Sequence, residues 1–77
     1  MNSFLIYTAS DPIACGLAEY LKEKKFILQA PEKLWETARV LVDNTNKKAL
    51  SKALTKYLDQ EGIEGIERRV IKIIKVQ

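Results

Sequence analysis

A short apolar run with strand character opens this chain, Phe4-Leu5-Ile6-Tyr7, and another closes it, Val70-Ile71-Lys72-Ile73-Ile74-Lys75-Val76. Between them the apolar residues recur mostly at helical spacing. Two terminal strands of this kind bury both faces only if the intervening helices fold back across the sheet that joins them, which points to a two-layer arrangement. The 77 residues suffice for one domain, 1–77, with one core. With 47% hydrophobic and 30% charged residues, the chain has the balance of a globular domain, not of a disordered tail.

Residues 3–9 read as a strand with both faces largely apolar, as a central strand requires. Ser10-Asp11-Pro12 reads as a helix start, with Asp11 able to cap and Pro12 at the first helical position. Ile13, Leu17, Tyr20 and Leu21 then form a core-facing stripe, and Lys22, Lys24 and Lys25 complement the helix dipole at its far end. Gly16 costs roughly 1 kcal/mol relative to Ala inside a helix, which suggests close packing on the sheet. Phe26-Ile27-Leu28 reads as a second strand. Pro31 and Glu32 suit a second helix carrying Leu34, Ala38, Leu41 and Val42 on one side. The stretch Ala38-Arg39-Val40-Leu41-Val42 reads alternatively as a strand, with periodicity slightly favouring helix. Asp43-Asn44-Thr45-Asn46 is a turn offering Thr45 or Asn46 as a cap. A further helix from Lys47 to Gln60 places Leu50, Ala53, Leu54, Tyr57 and Leu58 toward the core. Gly62 and Gly65 punctuate an acidic connection, and the last strand begins near Arg68 or Arg69. The expected fold class is α/β (α+β): two layers, a small sheet of three to four strands packed by two to three helices, in the order β-α-β-α-α-β.

Histidine is absent, which removes the usual general base near neutral pH and the commonest metal ligand. Cys15, the single cysteine, allows no internal disulfide and favours a reducing compartment. As a nucleophile it would have only lysine or a helix dipole to activate it, so a small buried helix residue is the plainer reading. Glu32 and Glu36 fall four apart on the expected second helix, but no other ligands converge on them, and solvation accounts for them. These absences point to a non-catalytic protein with no cofactor and no metal. No stretch approaches the ~20 apolar residues that span a bilayer, and no secretory pattern opens the chain. An intracellular, cytoplasmic location is expected.

The formal charge is +3, from 13 basic and 10 acidic residues, and it is unevenly spread. Residues 47–56 hold four lysines and no acid, whereas Asp59, Glu61, Glu64 and Glu67 follow closely. On a helix, Lys48, Lys52 and Lys56 form one row, with Lys47 near its start. Lysines at a helix N-terminus oppose the macrodipole, a small cost that makes sense if an anion docks there. The competing account is a solvated face that keeps the protein soluble. Arg68 and Arg69 form a second basic site suited to phosphate, unless Glu64 and Glu67 neutralise it.

Three segments resemble the Alba superfamily of small archaeal chromatin and RNA-binding proteins and its bacterial relative, the stage V sporulation protein S family. Residues Asp11-Pro12-Ile13-Ala14-Cys15-Gly16-Leu17-Ala18-Glu19-Tyr20-Leu21 look like that family's strand-to-helix junction. Lys47-Lys48-Ala49-Leu50-Ser51-Lys52-Ala53 is similar to the basic start of its second helix, and Glu67-Arg68-Arg69-Val70-Ile71-Lys72-Ile73-Ile74 to its closing strand. The resemblance implies a βαβαββ fold, a homodimer and nucleic acid bound near the second helix, with Lys48 and Lys52 at matching basic positions. Where the family carries paired lysines before the helix-start proline, this chain carries Ser10 and Asp11.

Two functions follow as expectations. The first is a nucleic-acid-binding module, for DNA or RNA, that contacts phosphates without sequence preference through Lys47, Lys48, Lys52 and Lys56, aided by Arg68 and Arg69. The second is a protein-interaction module (an adaptor, assembly subunit or virus-encoded inhibitor) docking through Trp35, an edge strand or the charged helix face. Small size and a sheet with edges to cover favour self-association as a homodimer.

Overall fold

The opening strand lies where two apolar faces require it, inside a sheet. The structure is a computed structural model that describes residues 2–28 and 38–76. Along the chain these form β1 (Asn2–Tyr7), α1 (Asp11–Glu23), β2 (Ile27–Leu28), β3 (Arg39–Thr45), α2 (Lys47–Glu61), α3 (Ile66–Arg69) and β4 (Lys72–Lys75). The four strands make one antiparallel sheet in the order β2-β3-β1-β4. β1 and β2 are therefore parallel with β3 between them, and β3 and β4 are parallel with β1 between them. Two split β-α-β units interlock, as in the ferredoxin-like arrangement.

Alternation sets the two faces of the sheet. Phe4 and Ile6 from β1 pair with Val42 and Val40 from β3, and all four are buried beneath the helices. Ile13, Ala14, Leu17, Ala18 and Leu21 of α1 and Leu50, Leu54, Tyr57 and Leu58 of α2 close the core from above. Each helix contributes residues spaced by three and four, the stripe that a two-layer packing needs. The opposite sheet face carries Leu5, Tyr7, Arg39 and Leu41, and the Arg39 guanidinium lies 5.6 Å from the Tyr7 ring centre.

Helix ends follow local chemistry. Ser10, extended at φ −159°, is the N-cap of α1, and Asp11 and Pro12 fall in its first turn, so the cap stands one residue before the expected Asp11. The helix closes on Lys25 at φ 72°, with Phe26 N–H donating to Leu21 C=O at 3.0 Å and Lys25 N–H to Lys22 C=O at 3.1 Å. That is a Schellman closure with lysine in the place glycine usually takes. Asn46 caps α2, its side-chain oxygen accepting from Ala49 N–H at 2.8 Å. Gly62 (φ 67°) ends it, and Ile63 N–H donates to Leu58 C=O at 2.9 Å.

Four expectations are corrected. The helix expected to carry Ala38, Leu41 and Val42 is absent there: 39–45 is a strand, the alternative reading. Ala38 at φ 59° breaks any helix reaching it, and β-branched Val40 and Val42 alternate into the core. Among the described residues the order is βαββααβ, which adds the strand β3 to the expected β-α-β-α-α-β, and the two-layer α+β class with a four-stranded sheet is as expected. Asp43-Asn44-Thr45 extends β3 instead of turning. Ser3 Oγ donates to the Asp43 carboxylate, Asn44 (φ 55°) donates its N–H to Asp43 at 2.9 Å, and the β1–β3 register shifts there. The last strand starts at Lys72, because Gly65 opens a helical turn with Glu67 early and Arg68 and Arg69 late, the order the helix dipole favours. Cys15 is exposed, since it points away from the Ile13–Leu17–Leu21 stripe. The helix start at Pro31 with Leu34, the Glu32–Glu36 pair and Trp35 lie outside the described residues.

Candidate nucleic-acid interface

The two long helices lie antiparallel and meet along a groove whose ends differ in both packing and charge. At one end, Tyr57 of α2 rests on Gly16 of α1. A Cβ at residue 16 would fall 2.2 Å from Tyr57 Oη and 3.3 Å from Cζ, so this glycine admits the partner helix, not the sheet as its sequence context suggested. The Tyr20 and Tyr57 rings stack at a tilt, 5.4 Å between centres, a favoured aromatic arrangement. Burial pushes the Tyr57 phenol above its usual pKa of 10.0, and the Glu61 carboxylate adds to the rise. Glu19, Glu23, Gln60 and Glu61 border this end.

A hollow of about 250 Å³ lies beside this contact, and past Tyr20 the lining changes from acidic to basic. Small side chains on α2, Ala49 and Ala53, leave a cleft of about 270 Å³ beside Tyr20 and Phe26, and three ammonium groups, Lys24, Lys52 and Lys56, rim it. Lys24 Nζ lies 5.4 Å from the Tyr20 ring centre, within cation–π range. Lys52 and Lys56 are one helical turn apart on α2, and Lys24 reaches them from the end of α1. Lys24 and Lys25 also border the neighbouring hollow beside Asp43, Asn44 and Thr45, close to the start of α2.

The expected site residues separate into two groups. Lys47, Lys48, Lys52 and Lys56 all lie on α2 and are all exposed. Among the described residues none of the four is in an ion pair. The first turn of α2 holds no acid to offset Lys47 and Lys48. Arg68 and Arg69 stand elsewhere, on α3 beyond the end of α2. Arg68 Nη1 binds Asp59 Oδ1 at 2.8 Å, so its partner is neither Glu64 nor Glu67. At 1.5 Å of rise per residue, Asp59 lies roughly 16 Å along the axis from Lys48. Asp59 is three residues past Lys56 on the same side of the helix, and its carboxylate is paired with Arg68. Arg69 is exposed.

Lys24, Tyr20 and Phe26 escaped sequence reasoning as site residues. The run Lys22, Lys24, Lys25 was visible, but its placement beside Lys52 and Lys56 depends on antiparallel helix packing, which no local pattern encodes. Elsewhere the edge strand β4 exposes Ile74, and Val76 just past its end is exposed as well. Among the described residues no group of His, Cys, Asp or Glu is arranged to hold a metal ion, and no helix is long and apolar enough to cross a membrane. Compared with protein-family models, curated proteins and solved structures, the chain matches none.

Proposed function

We propose that this protein is a small non-catalytic nucleic-acid-binding module that grips phosphate groups without reading sequence. The observation that carries the reading is the α2 lysine row, exposed and free of carboxylate partners among the described residues, and joined at the cleft by Lys24. Clustered cations on one face, next to the unsatisfied N–H groups of a helix start, form a surface on which a polyanion gains from several contacts together. Lys24, Lys47, Lys48, Lys52 and Lys56 make the contacts, with Arg69 at the periphery; Arg68 acts by holding Asp59 away from Lys56. Because each contact releases condensed counterions, binding falls as salt rises. Lys48→Glu combined with Lys52→Glu abolishes binding in an anisotropy titration while leaving the thermal unfolding midpoint close to the parent's, since both side chains are exposed. Unchanged affinity in that double variant would remove the proposal.

A further inference from the structure

The open end of the α1–α2 groove has a feature that phosphate contact alone does not use: its floor is apolar and aromatic. Tyr20, Phe26, Ala49 and Ala53 line a cleft of about 270 Å³, and the cations stand at its rim. We infer that this cleft takes one unpaired base of a single-stranded nucleic acid, laid against Phe26 and Tyr20 in the place Lys24 Nζ holds over the Tyr20 ring, with Lys24 swinging out to join Lys52 and Lys56 on the flanking phosphates. The inference rests on the function proposed above and names the class of polyanion that the site selects.

The physical case has three parts. A flat ring burying its faces against aromatic and methyl surface gains stacking and hydrophobic energy that a phosphate cannot. A duplex keeps its bases stacked inside and presents only its backbone, so it leaves the cleft empty; a single strand can splay a base into it. Finally, Glu19 and Glu61 stand on the far side of Tyr20 from this cleft, beside Gly16 and Tyr57. Their charge bars a phosphate backbone from running the length of the groove. The strand therefore crosses at the lysine end, toward Lys47 and Lys48, and its footprint is short, on the order of 4 nucleotides.

The test is fluorescence anisotropy of the full chain against oligo(dT), oligo(U) and a mixed-sequence DNA duplex at matched length and salt. Alongside the parent runs Ala49→Leu, whose added side chain fills the cleft from an exposed helical position. The expected result is tighter binding of single strands than duplex, and a loss of about tenfold for single strands in Ala49→Leu. Its salt dependence stays parallel to the parent's, because no phosphate contact is altered, and its duplex binding stays unchanged. A length series on the parent, which needs no variant to fold, levels off near the short footprint. Equal affinity for duplex and single strand, with Ala49→Leu indistinguishable from parent, overturns the base-binding cleft and leaves phosphate contact standing. Absence of binding to every probe at low salt overturns both.

Discussion

The two ends of the α1–α2 groove are built from one pair of helices to opposite effect. At Gly16 the absence of a side chain lets Tyr57 seat against α1, and the neighbouring Tyr20 ring seals the contact. At Lys24 the small residues lie on the other helix, and Ala49 and Ala53 face open space in place of a filling aromatic ring. Charge follows the same division, with Glu19 and Glu61 beside the closed contact and Lys24, Lys52 and Lys56 around the open one. A small residue at a helix interface thus has no fixed meaning. It seats the opposite ring where that side chain is large, and floors a cleft with its own methyl group where it is not.

The strongest way to break this contrast is to overfill each end in turn. Gly16→Leu drives a branched side chain into the space of Tyr57 Oη and costs about 3 kcal/mol in chemical denaturation, the upper range for overpacking. Ala49→Leu at the open end changes stability by less than about 0.5 kcal/mol. The finer form is a double-mutant cycle. Gly16→Ala loses about 1 kcal/mol, the clash exceeding the helix-propensity gain. Adding Tyr57→Phe recovers most of that loss, because without Oη the nearest ring atom is 3.3 Å from the new Cβ. Additive effects in that cycle would mean that Gly16 acts through the sheet after all.

Next in size comes a pH effect confined to the closed end. Burial and Glu61 raise the Tyr57 pKa in the folded state above its unfolded value of 10.0. The folded chain therefore binds more protons in that window, and stability falls as pH rises. The contribution is complete below pH 10.0 and disappears as pH climbs through the higher folded pKa. Urea denaturation of Tyr57→Phe beside the parent isolates it: the alkaline loss is shallower in the variant, which has no phenol there to ionise.

The smallest effect sits at the boundary of the open end, where Lys25 holds φ 72°. Lys25→Gly relieves that backbone and raises stability by about 0.5–1 kcal/mol. It also removes a cation beside the cleft, so it should slightly weaken polyanion binding while stabilising the fold.

Much of the architecture was written in short-range pattern. The Ile13–Leu17–Leu21 and Leu50–Leu54–Leu58 stripes announce both long helices, and the unbroken apolarity of Phe4–Tyr7 announces a central strand. β3 was ambiguous because Val40, Leu41 and Val42 satisfy either period over so few residues; its pairing partners on both sides decide the matter, and these are remote in sequence. The start of β4 was misplaced because Val70 and Ile71 look like strand, whereas Gly65 and the charge order of Glu67, Arg68 and Arg69 favour a helical turn first. At the site, the lysine row on α2 was legible from spacing alone. Its confluence with Lys24, and the removal of Asp59 by Arg68, depend on how elements pack, and appear only in three dimensions.

The claim on which this account stands is that the lysine end of the groove is a working polyanion surface. The most direct measurement is the slope of log affinity against log salt for the unmodified chain and a nucleic acid. Four to six phosphate contacts predict a slope of about −3 to −5. A flat dependence, or no binding even at low salt, would contradict it and return the lysines to the role of a solvated face.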